Sequence, residues 1–143
     1  YGVRRSIRQP IYSVGVVRDI LVDILNVFAR DYVVSGPVWN YFGDDAAGEW
    51  AGGLVKEIEL DRLNGFIGKT VIHPAQLPFV YESLKVSRAD YEDAKTIVNW
   101  DDGKAGVRKS YDGTRMNEVK THVKWAKRIM ALAGIYGVKE EQP

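Results

Sequence analysis

Two short runs of aromatic and β-branched residues, Tyr32-Val33-Val34 and Thr70-Val71-Ile72, each follow a segment with helical spacing. Short apolar runs without polar alternation read as strands buried on both faces. Such strands are parallel and require crossover helices between them. The order helix, strand, helix, strand, helix therefore predicts an α/β architecture. Two strands do not complete a sheet of that type, and the first residue is Tyr1 rather than Met, so the chain reads as part of a larger domain.

The helical segments are readable from their periodicity. In "VGVVRDILVDILNVFARD", Val14, Val17, Leu21, Ile24 and Phe28 recur at helical spacing, with charges on other faces. "LVKEIELDRLNG" continues through Leu54, Ile58 and Leu63 and stops at Asn64-Gly65, a C-cap pair. "AQLPFVYESL" predicts a short helix. Ser87-x-x-Asp90 is a variant capping box that opens a helix with Tyr91, Ala94 and Val98 on one face. Residues 99–114 are polar and contain glycine, which predicts a mobile connector. A last helix is expected from about Asn117 to Tyr136, with one apolar stripe through Val119, Val123, Ala126, Ile129 and Ala133 and another through Trp125, Leu132 and Tyr136. Two stripes predict packing against the rest of the fold and against another subunit.

Composition narrows the function. The 143 residues are 45% hydrophobic and 27% charged with a formal charge of +1, an ordinary globular balance. A nucleic-acid partner would call for a basic excess, and a membrane span for about 20 apolar residues in a row; neither is present. The absence of cysteine excludes thiolate metal sites and cysteine nucleophiles and favours a reducing, cytoplasmic setting.

One stretch, "NGFIGKTVIHPAQLPFVYESL", carries two competing signals. Gly68-Lys69-Thr70 resembles the end of a phosphate loop, but that loop needs a glycine where Leu63 stands and a strand before it rather than after. Gly65 and Gly68 read instead as the turn into the strand. His73-Pro74 ends the strand, and in parallel α/β folds the carboxyl end of a strand faces the active site. A structural histidine bonded to backbone is the alternative.

Gly65, Phe66, Gly68, Lys69, Ile72, His73, Pro74 and Gln76 together resemble the last barrel strand of the HpcH/HpaI aldolase superfamily, the citrate lyase β-subunit-like proteins. "YGVRR", "VVSGPVWNYF" and "RMNEVKTHVKWAKRIMALAGIYGV" are similar to the branch of TIM-barrel C–C bond lyases linked to tellurium-resistance gene clusters. The resemblance implies the C-terminal part of a (β/α)8 barrel, which in full takes about 250 residues. Tyr32–Ser35 would be strand 7 and Lys69–His73 strand 8. Residues 1–98 would belong to the barrel and 99–143 to a linker and C-terminal helical arm.

The implied activity is Mg2+-dependent cleavage of a carbon–carbon bond in a 3-hydroxy acid or its CoA thioester, by a homo-oligomer. The metal ligands are expected upstream of Tyr1, so the fragment alone is expected to be inactive. Arg4 and Arg5 would grip a carboxylate or phosphate, and Ser35, Gly36 and Pro37 would contact substrate, Gly36 by admitting a ligand close to the backbone. His73 would support catalysis. In relatives an arm segment ends in an acid/base Asp; here "DGTRMNEVK" puts Asn117 or Glu118 nearby, and only Glu118 can carry a proton. Trp39, Tyr41 and Phe42 read as core cover or pocket wall, Asp44, Asp45 and Glu49 as a solvated loop, and His122 as packing or surface. The alternative to an enzyme is a non-catalytic binding or assembly module derived from the barrel.

Overall fold

The computed structural model describes residues 2–100 and 106–140. The backbone divides into two compact units, Tyr1–Ser83 and Leu84–Pro143. The expected boundary at 98/99 thus falls inside the second unit.

In the first unit, helix α1 spans Gly15–Phe28 and helix α2 spans Glu49–Asn64. Helix α2 ends at Gly65, whose φ of 108° lies in the left-handed region that glycine adopts without cost. The buried stripe of α2 runs through Trp50, Ala51, Leu54, Glu57, Ile58 and Asp61. Its spacing is that of a core-facing helix, although two of its members are acids. A 3-10 turn at Pro74–Gln76 leads into helix α3, Leu77–Leu84.

The two predicted strands are extended segments joined by one parallel bridge, Gly36 to Lys69. Ile67 N–H donates to the Val34 carbonyl (2.8 Å), Gly36 N–H to that of Gly68 (3.3 Å) and Thr70 N–H to that of Gly36 (2.9 Å). The last two are the pattern of a parallel bridge, and the first is one residue out of that register, with Gly68 at φ 78° between them. Tyr32 and Val33 lie outside it and are exposed, so pairing sits at the carboxyl end of the first segment. Neither segment is long enough to count as a strand of a sheet.

In the second unit, helix α4, Arg88–Val98, is capped as expected: the Ser87 hydroxyl accepts from the Asp90 N–H at 3.1 Å. Strands β1, Val107–Lys109, and β2, Met116–Glu118, pair antiparallel, with Arg108 opposite Asn117. Helix α5, Val119–Tyr136, follows directly. The predicted connector is therefore in part a hairpin; its residues 101–105 lie outside the described residues. The core of this unit joins Val86, Ala94, Ile97, Ala126 and Ile129, flanked by Trp125 and Leu132. Both apolar stripes of α5 thus contribute to packing within its own unit, on α4.

Candidate active site

Glu57 and Asp61 stand one turn apart on α2, so their carboxylates project side by side into the first unit. Lys69, from the parallel pair, inserts between them: its Nζ lies 2.7 Å from Glu57 Oε1 and 2.7 Å from Asp61 Oδ2. The second Glu57 oxygen pairs with the Arg5 guanidinium and accepts the Ile11 N–H at 2.7 Å. The second Asp61 oxygen accepts the Tyr12 hydroxyl at 2.6 Å. Two cations and two anions cancel, and every carboxylate oxygen has a donor. That closure is what allows four charges to be buried together. Burial raises the Asp61 carboxyl above its ordinary value, although Lys69 and Tyr12 pull it down. Burial and the adjoining Asp61 likewise hold the Tyr12 phenol well above its usual range.

The cluster settles the Gly-Lys-Thr signal in physical terms. The Lys69 side chain is 1% exposed and held by two carboxylates, so it has no reach toward a phosphate. It also accounts for Gly36. A Cβ there would stand 2.5 Å from Asp61 Oδ2 and 2.9 Å from the Gly68 carbonyl. What approaches this glycine in the structure is a buried acid and a neighbouring backbone. Gly36→Ala is accordingly expected to cost about 1–3 kcal/mol of stability by overpacking, read as a lowered denaturation midpoint. An unchanged midpoint would mean that the space is not filled as described. Ser35 is exposed and Pro37 half-buried beside it.

His73 ends the second extended segment. Its Nδ1 accepts the Ala75 N–H at 3.3 Å, capping the 3-10 turn, and its ring stacks on Phe42 at 4.0 Å and 9°. With Nδ1 an acceptor, the neutral ring carries its proton on Nε2, a donor without a partner among the described residues. The loop that brings Phe42 is fixed by Gln76, a buried side chain. Its amide donates to the Trp39 and Tyr41 carbonyls, each at 2.9 Å, and its carbonyl accepts the Ile72 N–H at 3.1 Å. Trp39 is fully buried, whereas Phe42 is exposed on its free side.

The two neighbouring arginines have different surroundings. The Arg5 side chain is 7% exposed; besides Glu57 it donates to the Val38 carbonyl at 2.6 Å and lies 4.7 Å over the Trp39 ring. Arg4 is exposed and has no ion-pair partner among the described residues. Both line a cleft of about 340 Å3. Asp45 caps its own turn, accepting the Ala47 N–H at 2.9 Å, as fits a solvated loop, whereas Glu49 is the first residue of α2 rather than loop and pairs with Arg8.

Asn117 and Glu118 belong to the second unit. Asn117 sits in β2, and Glu118 is the N-cap of α5, where its Oε2 accepts the Thr121 hydroxyl at 2.9 Å. His122 is half-buried, edge-on to Trp125. Among the described residues, no group of three or more His, Cys, Asp and Glu side chains is placed to hold a metal ion. No helix among them is long and apolar enough to cross a membrane.

Sequence reasoning did not single out Glu57, Asp61, Tyr12 or the function of Gln76. The signal for the acids was present: Glu57 and Asp61 fall in register with Leu54 and Ile58, where a surface acid does not belong. Comparison with the curated proteins and with the solved structures gave no match. The family model described as a C–C bond lyase of the TIM-barrel fold matches residues 1–138. With its parallel pair, crossover helix and His-Pro-x-Gln corner, this chain belongs to the C–C bond lyases of the TIM-barrel fold.

Proposed function

We propose that the protein takes part in reversible cleavage of the C2–C3 bond of a 3-hydroxy acid or its CoA thioester, as a citrate lyase β-like enzyme. The observation that carries this reading is the family match over residues 1–138. In the proposed reaction the 3-hydroxyl loses its proton and C3 becomes a carbonyl. The electron pair of the broken bond goes to C2, which then takes up a proton. The parallel pair would represent strands 7 and 8 of the barrel, and the tellurium-resistance branch and a homo-oligomer belong to the same proposal.

The parts are assigned as follows. Arg4 carries the uncompensated charge for a substrate carboxylate. Arg5, committed to Glu57, shapes the wall beside it, and Ser35, Gly36 and Pro37 form the adjoining segment. The unpartnered Nε2–H of His73, with its ring fixed by Phe42 and Ala75, suits a substrate oxygen, a supporting role. Glu118 is proposed as the acid/base, Asn117 as its neighbour in β2. Mg2+ as a Lewis acid would stabilise an enolate oxygen. The described residues do not fit such an ion: no cluster holds one, and Glu57 and Asp61 are consumed by their partners.

The test is cleavage of a panel of 3-hydroxy acids and their CoA thioesters by the complete protein, followed as carbonyl product, with and without chelator. Turnover abolished by chelation is expected, with His73→Ala lowering kcat/KM while the melting temperature holds. No turnover across the panel refutes the lyase reading, and turnover indifferent to chelator refutes the metal.

A second reading, a non-catalytic assembly module, is favoured by one observation. Val16, Ile20, Val27 and Phe28 of α1, with Tyr32 and Val33 beyond it, leave large apolar side chains exposed. Sedimentation at increasing concentration distinguishes it: self-association without turnover supports the module.

A further inference from the structure

The cleft that contains Arg4 has an asymmetric lining. Val3, Ile11, Val14 and Val17 supply aliphatic walls, and Arg4 and Asn40 supply the polar groups. The charge of Arg5 is already balanced by Glu57, and the Tyr41 hydroxyl is spent on the Arg5 carbonyl at 2.8 Å. Asn40 uses its oxygen as an acceptor from Arg5 at 3.3 Å, which leaves its NH2 donors free. What remains for a ligand is the Arg4 guanidinium, without an ion-pair partner among the described residues, and the Asn40 NH2 donors, with the Tyr41 and Asn40 oxygens as neutral acceptors beside them. No carboxylate lines the cleft. Helix α1 also opens here: its N-cap, Val14, is a wall residue and offers no side-chain cap.

Aliphatic walls with an uncompensated cation at one end and no carboxylate fit one chemical class. We infer that this cleft binds a short aliphatic monocarboxylate, with the carboxylate at Arg4 and Asn40 and the hydrocarbon body along Val14 and Val17. The inference rests on the lyase reading only in calling that ligand the substrate. A free phosphate or a sugar would leave the four aliphatic residues facing polar groups without compensation. A neutral hydrocarbon would leave the guanidinium unused.

Calorimetric titration of the full chain with butyrate, pentanoate and hexanoate, and with the alcohols of matching length, tests it without requiring turnover. Affinity is expected to rise about two- to fourfold per added methylene. Each acid should bind about tenfold or more tightly than its alcohol, because charge-assisted hydrogen bonds to Arg4 are lost with the carboxylate. Arg4→Gln should erase the acid–alcohol difference and keep the chain-length increment; Val17→Ser should flatten the increment and keep the difference. Affinity independent of chain length, or equal for acid and alcohol, overturns the inference on the unmodified protein, before any variant is made. Saturable acid binding in a protein that cleaves no 3-hydroxy acid would retain the site and remove the lyase. Cleavage without such binding would do the reverse.

Discussion

Lys69→Met is expected to lower the unfolding free energy by about 3–5 kcal/mol, the cost of leaving buried charge without its partner. Methionine fills most of the same volume, so the loss isolates the ammonium from the packing. Two carboxylates would remain side by side, Glu57 with Arg5 and Asp61 with the Tyr12 hydroxyl alone. The pH dependence is the sharper readout. Burial already raises the Asp61 carboxyl above 3.8, and Lys69 is the first of the influences that hold it down. Without Lys69 it rises further. An acid whose folded value is raised binds its proton more tightly when folded. Its stabilisation is complete below 3.8, the unfolded value, and is lost as pH climbs through the folded one. The Lys69→Met deficit should therefore be small in acid and grow toward neutral pH, measured by denaturant unfolding across that range. A deficit that is flat with pH would show that the cluster does not act through charge.

Trp39→Ala is expected to cost a similar amount, about 3–5 kcal/mol. The indole is fully buried, donates to the Trp50 carbonyl at 3.0 Å, lies 5.4 Å from the Tyr41 ring and carries the Arg5 guanidinium on its face. It fills the space beside Gly53, where a Cβ would collide with the indole and stand 2.7 Å from the Ile7 carbonyl. Truncation opens a cavity that neither glycine nor the helix backbone can collapse to fill. It also removes the indole donor from the Trp50 carbonyl. Gln76 grips the main chain at positions 39 and 41, not the indole, so the Phe42–His73 stack should survive. Trp39→Phe should recover most of the loss. If Trp39→Ala unfolds at the parent midpoint, this ring is not the centre of the first unit.

Much of the fold was legible because its signals are local. The α1 periodicity, the Asn64-Gly65 stop and the Ser87 cap each depend on residues within one or two turns, and each element lies within a few residues of its expected place. The hairpin was missed for a physical reason. Its strands show the burial pattern of edges, exposed on nearly every residue, so no alternation marks them. The available clue was Asp112-Gly113. Gly113 takes φ 73°, and the Asp112 carboxylate accepts from Ser110 Oγ at 2.6 Å and Thr114 Oγ1 at 2.7 Å, which lowers its pKa.

The candidate site was only half legible. His73, Pro74 and Gln76 are close in sequence and announce themselves as a motif. Arg5 meets Glu57 across 52 residues, Tyr12 meets Asp61 across 49 and Lys69 reaches Glu57 across 12, and nothing local in any of them predicts the meeting. Alone, Arg5 reads as a grip for an anion and Lys69 as the opening of a strand, not as partners of buried acids. Only the fact that Glu57 and Asp61 share a face with the core of α2 betrays them.

The closed charge cluster also constrains how this sequence can drift. Arg5, Glu57, Asp61 and Lys69 come from three separate stretches of chain, yet they sum to zero only as a set. Replacing one leaves an orphan ion, whereas replacing a cation together with its acid does not, and neighbours of this kind do not contribute additively. Descendants should therefore lose or exchange these positions in compensating pairs, whereas Gly36 is held small by both Asp61 and the Gly68 carbonyl. Four codons scattered along the gene are in effect inherited as one character.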